Sequence, residues 1–241
     1  MPEPIRRYDV VLFDAGETLL RPEPSFPQLI VQLLRARGVT VTHDEPAWIN
    51  DALSSVFRAM DDLVVNREQF STSAERSRAF WTAIYTRLLA ELEVHDPDAA
   101  HATYLYEEFS KPEHYALFPD AMPALRELAA SGYTLGIVSN FEAWLNVLLD
   151  RLGLAPLMSV VVVSGTEGVE KPDVEIFRRA LERLGATPER TVYVGDNPRI
   201  DVRPALAYGM GAVLVDRRGV HNGFSEAVVV RSLEQVPAVI R

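Results

Sequence analysis

Short runs of branched apolar residues alternate with stretches of helical periodicity over most of the chain. Each run stops at glycine or polar turn residues, which is typical of a strand buried on both faces of a parallel sheet. Five such strands are predicted, at 8–13, 133–138, 158–163, 191–194 and 211–215. Strands that alternate with helices in this way predict an α/β fold with a doubly wound parallel sheet.

Helical patterns fill the intervals between the later strands, at 121–130, 142–152, 174–184 and 202–207. Gly153, Gly185 and Gly209 follow three of these helices, where a left-handed C-terminal cap is expected. These glycines support the positions at which the three helices end.

The segment between 21 and 110 has a different pattern. It contains no buried-strand run, and its apolar residues return at three- and four-residue spacing, which predicts four helices. Thr72 and Glu75 match the capping-box pattern at the start of the third of these helices. We therefore predict a core domain formed by 1–20 and 111–241, interrupted after its first strand by an all-helical domain at 21–110.

The composition excludes several classes of function. Among the 241 residues, 24 Lys and Arg stand against 34 Asp and Glu, and the net charge of −10 repels nucleic acid and anionic membranes. The absence of cysteine excludes disulfides, thiolate metal sites and cysteine nucleophiles. The sequence shows neither a signal-type apolar segment nor a run of about 18 apolar residues, so we expect a cytoplasmic protein. Nothing in the sequence specifies an oligomeric state.

Four short polar motifs follow predicted strands of the sheet. Asp14 follows the first strand, Ser139-Asn140 the second, Lys171 a short loop after the third, and Asp196 the fourth. Each motif alone is typical of a turn. Because the carboxyl ends of parallel strands share one edge of the sheet, the four together predict a site that combines a nucleophile, hydroxyl and ammonium donors, and a second carboxylate. We expect this site to handle phosphate.

The same motifs resemble those of the haloacid dehalogenase superfamily of hydrolases, in the subfamily whose helical cap is inserted after the first motif. The stretches that carry the resemblance span the core from end to end, at 12–19, 136–140, 170–177 and 194–201. The resemblance implies a Rossmann-like core with an inserted all-helical cap domain, and hydrolysis of a small phosphorylated metabolite.

The resemblance also implies roles for individual residues. Asp14 would attack phosphorus and form an aspartyl-phosphate, which splits one difficult displacement into two easier steps. Ser139, Asn140 and Lys171 would bind the phosphoryl group, and Lys171 would also offset the repulsion between Asp14 and an anionic substrate.

A Mg²⁺ ion is the cofactor that the resemblance implies. Its ligands would be Asp14, the main-chain carbonyl of Gly16 and Asp196, since hard oxygen ligands suit this ion. Asp201 would also act at the metal site, either as a further ligand or as a support for the ligands. For Asp201 a second interpretation stays open, because an acidic residue before Val202 is also typical of a helix N-cap.

One position departs from the family pattern. Most phosphatases of the family carry a second aspartate two residues after the nucleophile, where it protonates the leaving oxygen and later activates water, and this chain has Gly16 there. Loss of a general acid–base typically lowers the rate by about 10²–10⁴-fold. The neighbouring Glu17 stands where the family commonly has glycine, and it either substitutes as the acid or merely occupies a turn.

Three alternatives to an ordinary phosphatase follow from Gly16. Dehalogenases of the family place tyrosine at this position and lack the metal-binding acid of the last motif, whereas Asp196 is present here. Phosphonate-cleaving relatives place a small residue there and use a lysine from a short cap, and we place no such lysine in the helical domain. The third alternative is a weakly active or non-catalytic protein that binds a phosphorylated ligand.

Overall fold

The computed structural model describes residues 7–42, 44–65 and 69–241. The chain divides into two compact units: a core unit, formed by the residues up to Arg21 together with Leu117–Arg241, and a helical unit, Pro22–Ala116. Residues 111–116, which the sequence assigned to the core domain, fall within the helical unit. In the part of the chain that is described, none of the helices combines the length and the apolar character that crossing a membrane requires.

Strands predicted from the apolar runs form the centre of the core unit. In chain order the strands are β1 (Val10–Phe13), β2 (Leu20–Pro22), β3 (Tyr115–Leu117), β4 (Thr134–Ser139), β5 (Val160–Val163), β6 (Thr191–Gly195), β7 (Gly211–Val215) and β8 (Val228–Val230). Six of them form one parallel sheet in the order β5-β4-β1-β6-β7-β8. The five predicted strands are confirmed as β1, β4, β5, β6 and β7, and β8 extends the sheet by an edge strand that was not predicted.

Helices surround this sheet and fill the second unit. They are α1 (Phe26–Ala36), α2 (Pro46–Val65), α3 (Ala74–Glu91), α4 (Ala100–Phe109), α5 (Ala121–Ala130), α6 (Leu145–Arg151), α7 (Ser164–Glu167), α8 (Glu175–Leu184), α9 (Arg203–Ala207) and α10 (Val236–Val239). The four helices predicted between 21 and 110 are confirmed as α1–α4. The four predicted in the core are confirmed as α5, α6, α8 and α9.

The helical unit has its own apolar core, built from the periodic apolar faces of its helices. Tyr85 of α3 is 2% exposed and stacks on Phe109 of α4, with ring centroids 5.5 Å apart. Phe26 of α1 stacks on Phe109 in turn, at 4.6 Å. Aromatic contacts therefore join α1, α3 and α4.

The structure tests two predictions about where helices begin and end. Gly153, Gly185 and Gly209 have φ of 71°, 62° and 92°, which confirms the predicted left-handed caps. The capping box predicted from Thr72 is wrong, because Ser73 is the N-cap of α3 and its hydroxyl accepts a hydrogen bond from the backbone N–H of Arg76. The helix begins one residue later than the pattern indicated.

The order of the strands places a switch point beside β1. On one side of β1 the sheet continues with β4 and then β5, and on the other side it continues with β6, β7 and β8. Ligands of open α/β sheets bind at the carboxyl ends of the strands at such a point. The register pairs Phe13 with Ile137 of β4 and with Val194 of β6, so the residues that follow these strands lie at one edge.

Candidate active site

Asp14 and Ser139 meet at this edge of the sheet. Asp14 directly follows β1 and is 7% exposed, and Ser139 ends the neighbouring strand β4. The Ser139 hydroxyl donates a hydrogen bond to Asp14 Oδ1 at 3.0 Å. The backbone N–H of Asp14 donates to the carbonyl of Val194 at 2.9 Å, which fixes it to β6 on the other side. The parallel register thus brings the predicted nucleophile and the predicted hydroxyl donor into contact.

Lys171 joins this pair from the loop between α7 and α8. Its side chain is 1% exposed, and its ammonium donates to Asp14 Oδ1 and to Asp201 Oδ1, both at 2.6 Å. Burial by itself would lower the pKa of Lys171, but Asp14 and Asp201 outweigh burial and raise the pKa. The ammonium is therefore charged at neutral pH and shared between two carboxylates.

Asn140 acts on Lys171 through the backbone. Its side-chain Nδ2 donates to the carbonyl of Lys171 at 2.8 Å, and the N–H of Lys171 donates to Asn140 Oδ1 at 2.7 Å. These paired hydrogen bonds hold the Lys171 loop against the end of β4. The contacts are positioning contacts, and a substrate-binding role for Asn140 stays a prediction.

Three carboxylates lie close together around this ammonium. Asp14, Asp196 and Asp201 each offer one oxygen, and the three oxygens lie within 4.8 Å of one another. Burial, followed by the charges of Asp201 and Asp14, raises the pKa of Asp196 well above its usual range. Burial also raises the pKa of Asp201, and Lys171 opposes this rise. Crowding therefore disfavours ionisation of all three acids at once, and a bound cation would offset the repulsion among them.

Asp201 does not cap the helix that follows it, so the N-cap interpretation is wrong. Its carboxylate accepts hydrogen bonds from Lys171 and, at 2.9 Å, from the backbone N–H of Asn197. Asn197 is itself the cap of the π-helical turn Pro198–Val202, and its side chain accepts from the N–H groups of Arg199 and Ile200. π-helical turns are rare in proteins, and those that do occur often lie at functional sites. This turn places Asp201 against Lys171, and a metal-binding role for Asp201 stays a prediction.

Gly195 provides the space that Asp201 occupies. A Cβ atom built on Gly195 would lie 2.5 Å from both Cγ and Oδ2 of Asp201, closer than packed carbon and oxygen atoms allow. We expect Gly195→Ala to displace Asp201 from Lys171 and to lower the free energy of unfolding by about 1–3 kcal/mol, the usual cost of overpacking. Urea unfolding of the parent and the variant measures this cost.

A second variant separates this clash from a general effect of alanine. Asp201→Gly removes all three atoms that the new methyl group would meet, Cβ, Cγ and Oδ2 of Asp201, so Gly195→Ala should cost much less in that background. Equal costs in the two backgrounds would show that Gly195 serves another purpose.

Gly16 and Glu17 differ in their surroundings. Gly16 is partly buried, and a Cβ built on it meets no heavy atom within 4 Å. Glu17 has a φ of 54°, in the left-handed region that non-glycine residues rarely adopt. Desolvation by neighbouring protein atoms raises the pKa of Glu17, while Arg218, Arg217 and Arg21 oppose the rise. The side chain is exposed, so water screens these effects. A catalytic role for Glu17 stays a prediction.

Two residues to which the sequence assigned no role also contact the site. The Tyr193 hydroxyl lies 2.8 Å from Lys171 Nζ, and the Thr18 hydroxyl donates to Asp196 Oδ1 at 3.3 Å. Arg217 in turn donates to the carbonyl of Thr18 at 2.8 Å. A signal for Tyr193 was present, because a tyrosine within a fully buried apolar strand needs a partner for its hydroxyl.

A family model for haloacid dehalogenase-like hydrolases matches residues 8–209. The chain belongs to this family. A zebrafish (Danio rerio) member named haloacid dehalogenase-like hydrolase domain-containing protein 3 is 29% identical over 233 residues, which cover 95% of this chain and 94% of that protein. A phosphoserine phosphatase of Thermus thermophilus is 35% identical over 153 residues, which cover 62% of this chain and 61% of that protein.

Solved structures of haloacid dehalogenase-like hydrolases share the fold. The HAD-hydrolase YfnB of Bacillus subtilis, bound to magnesium, matches with a TM-score of 0.77 and 20% identity, over 98% of this chain and 100% of that one. An L-2-haloacid dehalogenase of Xanthobacter autotrophicus, with covalently bound chloropropionic acid, matches with a TM-score of 0.68 and 20% identity. The match covers 97% of this chain and 98% of that one. These matches confirm the predicted Rossmann-like α/β fold.

Proposed function

We propose that this hydrolase is a Mg²⁺-dependent phosphatase that acts on a small phosphorylated metabolite through an aspartyl-phosphate on Asp14. The observation that carries the proposal is the cluster at the sheet edge, in which Ser139 and Lys171 contact Asp14 and two further carboxylates lie within 4.8 Å. The phosphoserine phosphatase of Thermus thermophilus, at 35% identity over its matched part, supports phosphate chemistry. The helical unit would serve as the cap of the core.

The side chains at the site divide the first step among them. A carboxylate oxygen of Asp14 attacks phosphorus, the bond from phosphorus to the leaving oxygen breaks, and the leaving oxygen takes up a proton from water or from Glu17. Lys171 and Ser139 hold Asp14 in place through hydrogen bonds to its Oδ1. The ammonium of Lys171 and the hydroxyl of Ser139 would also stabilise the negative charge that develops on the phosphoryl oxygens. Water then attacks phosphorus and releases phosphate, which restores the carboxylate.

The residues present fit a magnesium ion. Asp14 and Asp196, with Asp201 nearby, supply hard carboxylate oxygens, and a bound cation would offset the repulsion among them. We assign the main-chain carbonyl of Gly16 to the same set. When bound, Mg²⁺ would neutralise charge on the transferring phosphoryl group and help to align it with Asp14.

The absence of an acid at position 16 determines which phosphate compounds the enzyme would hydrolyse fastest. An alkyl phosphate releases a strongly basic alkoxide that needs a proton as the bond breaks, whereas aryl and acyl phosphates release weak bases that need little help. We therefore propose modest activity that is highest on aryl and acyl phosphates. Glu17 is the remaining candidate for the acid.

Dehalogenation and phosphonate cleavage are less well supported. Asp196 is partly buried and lies among the carboxylates, and a metal-binding acid has no role in dehalogenation. In the described part of the helical unit the lysine is Lys111, whose ammonium pairs with Glu108 at 2.7 Å. A non-catalytic binding protein would keep the cluster and release no phosphate.

Phosphate release from p-nitrophenyl phosphate by the purified protein tests the proposal. We expect release that requires Mg²⁺ and is abolished by a chelator, with slower release from an alkyl phosphate such as glycerol phosphate. Equal rates with and without the chelator would contradict the metal requirement. No release from aryl, acyl or alkyl phosphates would favour the binding protein, and halide release from 2-chloropropionate would favour the dehalogenase.

A further inference from the structure

Tyr193 lies in the middle of β6 with no exposed surface, and the sequence gives it no catalytic motif. Its hydroxyl sits between two groups: Lys171 Nζ, at 2.8 Å, and the carbonyl of Val138 in β4, at 2.6 Å. The ring packs edge-on against Phe177 of α8, with centroids 5.0 Å apart, so strand and helix together fix its position. The hydroxyl is therefore held rigidly beside the ammonium.

The direction of these hydrogen bonds follows from the chemistry of the groups. An ammonium can only donate, so the tyrosine oxygen accepts from Lys171, and the tyrosine proton is left for the Val138 carbonyl. The hydrogen bond of 2.6 Å to the Val138 carbonyl requires that the hydroxyl keeps its proton. Tyr193 therefore presents a neutral oxygen to Lys171.

This contact completes the coordination of Lys171. An ammonium has three N–H donors, and here they go to Asp14, Asp201 and Tyr193 at 2.6, 2.6 and 2.8 Å. The two carboxylates come from different parts of the chain, Asp14 directly after β1 and Asp201 from the turn Pro198–Val202 after β6. A fixed neutral acceptor on the third side keeps the ammonium shared between them.

We propose that Tyr193 is a positioning residue for phosphoryl transfer, whose hydroxyl fixes Lys171 Nζ between Asp14 and Asp201. Its kinetic consequence rests on the proposed function. The structural part does not, because it concerns only where the ammonium is held. Two measurements therefore test the inference separately.

The first measurement uses the fact that the chain has two lysines, Lys111 and Lys171. In protein labelled with ¹⁵N-lysine, NMR resolves the two ammonium groups, and Lys111, whose side chain is 44% exposed, acts as an internal control. In the parent, the Lys171 ammonium should exchange its protons with water far more slowly than Lys111. Tyr193→Phe, which removes only the hydroxyl, should shift the Lys171 signal and speed its exchange by at least about 10-fold, with Lys111 unchanged.

Tyr133→Phe is the matched control, since it removes a hydroxyl from a buried tyrosine at the opposite end of β4 from Ser139. This variant should leave the Lys171 signal unchanged. A Lys171 signal that has the same shift and exchange rate in Tyr193→Phe as in the parent would overturn the inference, whether or not the protein releases phosphate.

The second measurement is kinetic. Tyr193→Phe should lower kcat on p-nitrophenyl phosphate by about 10–100-fold, the cost of a small misplacement of a reacting group, and change KM by less than about 2-fold. In a Lys171→Met background the same change should cost nothing more, because Tyr193 acts through Lys171. An additional loss in that background would show that Tyr193 acts by another route. A parent without activity would contradict the proposed function and leave the NMR result to decide the inference.

Discussion

Asp14→Asn is expected to reduce Mg²⁺-dependent phosphate release to background, a loss of about 10³-fold or more. The amide is nearly the same size as the carboxylate but cannot attack phosphorus. It also removes the charge that Lys171 contacts at 2.6 Å, while its remaining oxygen can still accept hydrogen bonds from Ser139 and Lys171. Steady-state release of phosphate from p-nitrophenyl phosphate measures the effect, with circular dichroism to show that the variant is folded.

Asp9→Asn is the matched control for this variant. Asp9 lies at the other end of β1, where its carboxylate pairs with Arg190 and its side chain is 57% exposed. An exposed ion pair of this kind contributes about 0–1 kcal/mol, so the control should keep both its fold and its rate. An Asp14→Asn protein as active as the Asp9→Asn protein would rule out Asp14 as the nucleophile.

Gly16→Asp is expected to raise turnover on alkyl phosphates by about 10²-fold or more, the usual contribution of a general acid–base. The structure can accept the change, because a Cβ at Gly16 meets no heavy atom within 4 Å and the residue's φ lies outside the left-handed region. Turnover on p-nitrophenyl phosphate should rise less, since that leaving group needs little protonation. The ratio of the two rates, parent against variant, is the quantity to measure.

Gly16→Asn fills the same space without an acid and should give no gain. Glu17→Gln decides the remaining question, because it removes the carboxyl and keeps the left-handed backbone at φ 54°. If Glu17 supplies the acid, this variant loses activity on alkyl phosphates and Gly16→Asp gains little. If Glu17 only occupies the turn, Glu17→Gln keeps the parent's rate.

The fold could be predicted from the sequence wherever an element is long or buried on both faces. The run at 10–13 is buried along its whole length, so its apolar pattern was unambiguous. Strands β2 and β3 were missed because each is three residues long and is stabilised by pairing with the other across a long stretch of chain, which local pattern does not encode. Strand β8 was missed although Val228–Val230 is a branched apolar run. It is an edge strand, and two of its valines are exposed.

The sequence predicts which residues form the site better than it predicts the contacts between them. Asp14, Ser139 and Lys171 follow from strand ends that share one edge, since parallel register brings such residues together. The contact of Asp201 with Lys171 depends on a π-helical turn, and the sequence around Asp201 fits an N-cap equally well. The sequence likewise does not indicate that the Asn140 side chain forms hydrogen bonds with the Lys171 backbone. Such contacts depend on how loops meet in three dimensions.

Rapid-quench kinetics with p-nitrophenyl phosphate tests the central claim, that Asp14 carries the phosphoryl group without its usual acid–base partner. Because Gly16 cannot activate water, hydrolysis of the aspartyl-phosphate should be slower than its formation. We expect a burst of about one p-nitrophenolate per active site that requires Mg²⁺, with the phosphoryl group found by peptide mapping on Asp14. A burst that leaves the group on another residue, or turnover with no phosphorylated protein at any quench time, would contradict the account.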